Sequence, residues 1–179
     1  DAVFDGVLTV VRETFFFMSP LTGEWAAPPH PYLLPDRGEP KEGWMRKGPG
    51  AITRAWCNWE ICRTKKEGCK LHIVLGRADV DGFEGLLTER FDEIAGIVAN
   101  IDARDAQVTS ATDREFILAE VNKLDGGLGG VTATVCAALR EWLAGEGRAA
   151  LERLPAEERG TSKLINNLSL LLQAQGKLD

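Results

Sequence analysis

The sequence predicts an α/β fold in which a small parallel sheet is followed by a helical region. Three observations carry this reading. Residues 14–18 (Thr14, Phe15, Phe16, Phe17, Met18) and 71–75 (Leu71, His72, Ile73, Val74, Leu75) are short apolar runs bounded by turn residues, the signature of buried strands. Between them, residues 51–65 carry Ile52, Ala55, Trp56, Trp59 and Cys62 at helical spacing. Strand, helix, strand is the alternation that yields parallel pairing, and everything beyond residue 80 reads as helix.

Taken in order, the chain opens with an amphipathic helix bearing Val3, Val7, Leu8 and Val11. The first strand is closed by Ser19-Pro20. Two strands alone make no stable sheet, so further strands are expected ahead of this region. Residues 21–50 change character: seven of the eight prolines lie between Pro20 and Pro49, with glycines interspersed. Proline removes backbone donors and glycine resists ordering, so this stretch reads as a long surface insertion, with Trp25, Tyr32 and Trp44 available to pin it. Pro28-Pro29-His30-Pro31 is a weak match to a proline-recognition ligand.

After the tryptophan helix, Gly68 breaks the chain before the second strand, inside which His72 reads as a packing residue. Residues 81–93, with Phe83, Leu86, Leu87 and Phe91, predict a helix. Thr112-Asp113-Arg114-Glu115 is a capping-box pattern opening another, with Ile117, Val121 and Leu124 inward. The glycines of 126–130 lack the spacing of a dinucleotide loop and follow a helix, so a hinge is expected there. Val131, Val135, Ala138, Leu139 and Trp142 define a strongly amphipathic helix. Charges over 146–161 and Pro155 predict a solvated linker. Leu164, Leu168, Leu171 and Leu172 then repeat at helical spacing up to a stop at Gly176, and Asn166 and Asn167 inside that helix point to partners for their amides. The resulting division is an α/β module over 1–80, its helical extension over 81–145, a linker over 146–161 and a last helical unit over 162–179.

Composition narrows the function. The formal charge is −6 and no basic cluster concentrates the 21 Lys and Arg, which argues against nucleic acid and anionic membranes. No apolar run is long enough to span a bilayer and no secretory leader is read, so a cytoplasmic place is expected. The four cysteines, Cys57, Cys62, Cys69 and Cys136, show no disulfide-framework spacing and read as reduced thiols. Cys57, Cys62, Cys69 and His72 match no common zinc unit, so no metal is expected. No cofactor is expected either.

The densest local signal is Arg54-Ala55-Trp56-Cys57-Asn58-Trp59-Glu60. Glu60 stands one turn beyond Trp56 at the edge of the apolar face, where a carboxylate is either a half-buried structural partner or a site residue with a tuned pKa. As a structural partner it would pair with Arg54 or Arg63, or cap nearby amides.

Residues 164–179 resemble the first helix and turn of a tetratricopeptide repeat (TPR) of the kinesin-light-chain type. Taking Gly176 as the turn glycine places Ile165, Leu168, Ser169 and Leu172 on the repeat's packing positions. Half a repeat cannot bury its own face, so the resemblance implies an array continuing beyond it. The apolar strand ending in Ser19-Pro20, the Arg54-to-Glu60 helix and the strand 71–75 resemble an N-terminal module found before such repeats in large proteins of unicellular algae. The Trp56-Cys57-x-x-Glu60 element is also similar to TIR domains, whose fold is flavodoxin-like α/β. In NAD-cleaving TIR domains the matching glutamate is catalytic, a role that falls on Glu60. The chain departs from that family by lacking its first strands and nucleotide-holding loop, and by carrying the proline-rich insertion before the motif helix.

Two functions follow from these resemblances. In the preferred one the chain is a scaffold: the α/β module feeds a TPR array that binds partner proteins or peptides, and Trp56, Cys57 and Trp59 form the core of the motif helix. In the alternative it is a signalling NAD glycohydrolase with NAD as substrate and Glu60 as the catalytic residue.

Overall fold

The computed structural model describes residues 2–22, 24–26, 32–33, 45–47 and 49–177, with backbone alone for 2–3, 24–26, 32–33 and 45–47. Helix dominates. Among these residues the elements are α1 (Ala2–Val11), β1 (Glu13–Phe17), β2 (Glu24–Ala26), β3 (Tyr32–Leu33), β4 (Met45–Lys47), a 3-10 turn (Gly50–Thr53), α2 (Ala55–Lys66), β5 (Lys70–Val74), α3 (Arg77–Thr88) and α4 (Phe91–Ala99). A second 3-10 turn (Ala103–Asp105), β6 (Gln107–Val108), α5 (Ala111–Val121), α6 (Gly127–Arg153), α7 (Ala156–Arg159) and α8 (Lys163–Gln173) complete the order. No helix among the described residues is long and apolar enough to cross a membrane.

The expected parallel sheet is present as one pair. β1 and β5 run parallel in register from Glu13 opposite Lys70 to Phe17 opposite Val74. Both strands were expected to be buried, and here the structure differs. Only the inner face, with Phe16 and then Met18, is covered, whereas Phe15 is 68% and Phe17 59% exposed. Side chains alternate along a strand, and α2 packs on the Thr14 and Phe16 side of this pair. His72 lies on the uncovered side, stacked on Phe15 at 4.7 Å and 3.6 Å from the Glu13 carboxylate, rather than packed in a core.

The stretch 21–50 is more than loop. β2 and β4 pair antiparallel within it, and β3 pairs antiparallel with β6 further along the chain. Trp44 and Pro28-Pro29-His30-Pro31 lie outside the described residues, as do the side chains of Trp25 and Tyr32.

α2 is the centre of the molecule. Its buried residues are Ala55, Asn58, Trp59, Ile61, Cys62 and Thr64, more than half of the circumference. Thr64 meets Thr14 of β1, Cys62 reaches the Val131 carbonyl of α6, and Trp59 packs on Phe4 of α1 and Phe116 of α5. Ile52 precedes the helix, in the 3-10 turn that packs on it.

Three boundaries differ from the sequence reading. The helix expected over 81–93 is two helices, interrupted at Glu89 and Arg90, because Asn167 of α8 donates to the Leu87 and Thr88 carbonyls and caps α3 there. The helix expected to open at Thr112 is capped by Ser110, whose hydroxyl accepts from the Asp113 N–H at 3.1 Å. The glycines of 126–130 form a tight helix junction rather than a hinge. Gly126 has φ 77°, and a Cβ on Gly130 would stand 2.1 Å from the Asp125 carbonyl oxygen.

The boundary drawn at residue 146 falls inside α6, which continues to Arg153 with Gly147 and Ala150 buried. They are buried because α8 lies across α6: a Cβ on Gly147 would meet Leu168 at 3.5 Å, ordinary contact distance. α8 also packs on α3 and ends at Gln173; the turn after it closes at Gly176, where φ is 64°, and the Lys177 N–H returns to the Leu172 carbonyl.

Candidate functional site

The motif helix α2 runs antiparallel to the strand it feeds, so its N-terminus sits at the carboxyl ends of β1 and β5, where α/β folds place their ligands. Two links define that end of the sheet. Asp79, in the first turn of α3, accepts from the Ser19 hydroxyl at 2.5 Å and from the Leu21 N–H at 3.0 Å, fixing the turn after β1. A Cβ on Gly76 would stand 2.5 Å from Ser19 Oγ, so a larger residue there would displace the hydroxyl from Asp79. The Ser19–Asp79 link was not legible in the sequence, because its partners are sixty residues apart and Asp79 sits in no motif.

Glu60 is half-buried on α2. Among the described residues its carboxylate has no hydrogen bond or ion pair, and burial holds its pKa above the usual carboxylate range. Arg63, one of its expected partners, is held by Asp5 at 2.8 Å and Glu67 at 3.2 Å instead. At 100° per residue, Glu60 projects between Thr64, which faces β1, and Trp56 and Arg63, which face α5 and α1. Its titratable neighbour is Cys57, whose thiol is pushed up by burial and by the Glu60 charge, so it rests as a neutral thiol. Cys62 is pushed up to about 11 by burial, with the Thr134 hydroxyl opposing. All four cysteines are free, and no group of His, Cys, Asp or Glu among the described residues is placed to hold a metal ion.

Trp59 is 1% exposed, whereas Trp56 is half-buried and stacks on Phe116 at 5.5 Å. An aromatic group of Phe4, Trp56, Trp59 and Phe116 thus ties α1, α2 and α5 together. Asn58 and Gln107, at 2% and 1% exposure, are buried with neither amide atom hydrogen-bonded. α2 packs on β6, where the Gln107 backbone is bridged to Arg54 just ahead of the helix. Sequence reasoning missed both, since Asn inside an apolar helix pattern reads as its polar edge and Gln107 lies in no periodic segment.

A narrow apolar crevice of about 10 Å³, room for about one water, opens between the end of β1, the first 3-10 turn, α4 and α6, lined by Met18, Leu21, Ile52, Ile94 and Trp142 among others. It offers no polar side chain to orient a nucleotide.

On α8, Leu164, Leu168 and Leu171 are buried against the body. Of the four expected repeat-packing positions, only Leu168 is in this buried row; Ile165 and Leu172 are half-buried and Ser169 is exposed, its hydroxyl returned to the Ile165 carbonyl at 2.8 Å. Leu170 is 55% exposed.

Comparison with protein families, curated proteins and solved structures finds no match to this chain.

Proposed function

We propose that this chain is an interaction module, an α/β body that carries and orients a TPR-type helical array for binding partner peptides. The observation that supports it best is the seating of α8. One row of leucines is buried on α6 and α3 while the adjoining row, Ile165, Ser169 and Leu172, is left partly open. A helix that packs on one side and offers small and apolar residues on the next is built to stack a further helix, the principle of repeat arrays. Asn167 supports the same reading: by capping α3 it fixes the angle at which α8 leaves the body. The test compares partners captured by the full natural polypeptide with those captured by a version truncated after Thr161. Loss of the partners upon truncation supports the proposal, and retention of all of them overturns it.

Glu60 favours one second reading, in which the module cleaves NAD. Its carboxyl is half-buried, unpaired and held above its ordinary pKa, as an acid–base group requires. Against it, Glu60 does not line the apolar crevice, and that crevice is far too small for a nucleotide. NAD hydrolysis by the full polypeptide, lost in Glu60→Gln, would support this reading; equal rates in both, or none in either, would sink it.

A further inference from the structure

The outer face of the β1–β5 pair is bare, and its chemistry is ordered along the strands. The strands are parallel and in register, so that face carries Glu13 beside Lys70, then Phe15 beside His72, then Phe17 beside Val74. The other face, with Thr14 and Phe16, meets α2. Three steps result: a carboxylate and a cation, a pair of stacked rings, and an apolar end. Lys70 Nζ lies 3.9 Å from the Glu13 carboxylate, and the Phe15 and His72 rings stack with 13° between their planes. Phe15, Phe17 and Val74 are all exposed, whereas parallel sheets are normally covered on both faces.

Symmetry and charge select the cover. Sheets that stack face to face run within about 30° of one another, so a two-fold axis between two copies lies either across the strands or along them. An axis across the strands lays the Glu13–Lys70 end of each copy on the Phe17–Val74 end of the other, which buries charge against apolar surface. An axis along the strands sets β1 of each copy over β5 of the other at the same level. Glu13 then faces Lys70 of the second copy, Phe15 faces its His72, and Phe17 faces its Val74. Opposite charges meet twice, the rings form one stack of four, and the apolar ends close on each other. From their exposures, these six side chains offer roughly 600–700 Å², just under the roughly 800 Å² per partner of a standard interface. A weak, concentration-dependent pair is the association that such an area supports.

We propose that the outer face of the β1–β5 pair is a self-association surface, on which a second copy of this chain seats about a two-fold axis parallel to the strands. α2 backs this sheet, α6 packs on α2, and α8 packs on α6. Pairing through the outer face therefore leaves α8 of both copies free, and presents two of them in one assembly.

Sedimentation equilibrium of the full natural polypeptide tests this. A monomer–dimer equilibrium is expected between about 10 μM and 1 mM, as suits an interface of this size. Phe17→Lys, at an exposed position, should raise the dimer dissociation constant at least about tenfold. Charge tests the register. Glu13→Lys and Lys70→Glu should each weaken self-association, because each sets like charges face to face across the axis. Mixed in equal amounts, the two variants should pair with one another at least as tightly as the parent pairs with itself. Recovery on mixing also excludes misfolding as the cause of the loss. A monomer at every concentration overturns the proposal, and is the result expected where another segment or another protein holds the face. Dimerisation unchanged in Phe17→Lys overturns it as well, and so does a mixture that pairs no better than either charge variant alone.

Discussion

Replacing Asn58 by leucine should stabilise the protein, although Asn58 lies inside the motif that looks most functional. Both polar atoms of its amide are buried without a hydrogen-bond partner in a residue 2% exposed. A buried polar group left unsatisfied costs about 1–3 kcal/mol. Leucine removes that cost and adds apolar contact with the surrounding core, against a packing penalty of about 1 kcal/mol for its slightly larger, differently branched shape. The net expectation is a gain of about 1–2 kcal/mol, or roughly 3–6 °C in Tm for a domain of this size. Urea and thermal unfolding of the two proteins measure it directly. Asn58→Asp is the control: a carboxylate at the same site must ionise in the core or shift its pKa, so it should cost several kcal/mol. If Asn58→Leu instead lowers stability by 1 kcal/mol or more, the amide has a partner, such as an ordered water, and the reasoning fails.

Glu60→Gln carries a pH signature. Burial raises the folded-state pKa of Glu60 above its unfolded value, so the group favours folding fully only below pH 4.5 and that contribution is lost as pH rises through the folded value. The variant should therefore gain on the parent between acid and neutral pH in urea titrations, and a difference independent of pH would contradict the raised pKa. Gly130→Ala should cost at least about 2 kcal/mol, because the new methyl would sit 2.1 Å from the Asp125 carbonyl oxygen; a thermal midpoint within a degree of the parent would refute the close approach. Asn167→Ala should cost about 1–2 kcal/mol and raise exchange of the amides in α8, since it removes two bonds to the end of α3; unchanged exchange would mean that the leucine row alone seats α8.

The sequence made the parallel pair and the long helix legible because each rests on a local pattern. Residues 14–18 and 71–75 are compact apolar runs, and Val131, Val135, Ala138 and Leu139 repeat on one stripe that the structure buries. What it hid were the contacts made across distance. Phe15 and Phe17 look as buried as Phe16 in a run of three, and only the placement of the helices on one face separates them. The break at Glu89 and Arg90 is made by Asn167, 80 residues from Leu87. α2 was read as one-sided because amphipathicity assumes a single neighbour, whereas β1, α6, α1 and α5 surround it and bury Asn58, Ile61 and Thr64 as well. The capping pattern at Thr112 was a near miss of two residues, the ordinary uncertainty of a helix start.

Most side chains of the motif helix have a packing account. Trp56 and Trp59 hold α1 and α5, Cys62 and Thr64 reach α6 and β1, and Arg63 is spent on Asp5 and Glu67. Asn58 and Glu60 are drawn out of water without a hydrogen-bond partner, Asn58 inside the core and Glu60 at its edge. The two functional readings therefore diverge at Glu60. A cation or amide brought to its carboxyl makes it a structural group, and the chain a platform for α8 and what stacks on it. A carboxyl that faces a cleft has the setting a general acid needs. NAD hydrolysis and partner capture, each measured beside Glu60→Gln on the full natural polypeptide, separate the two.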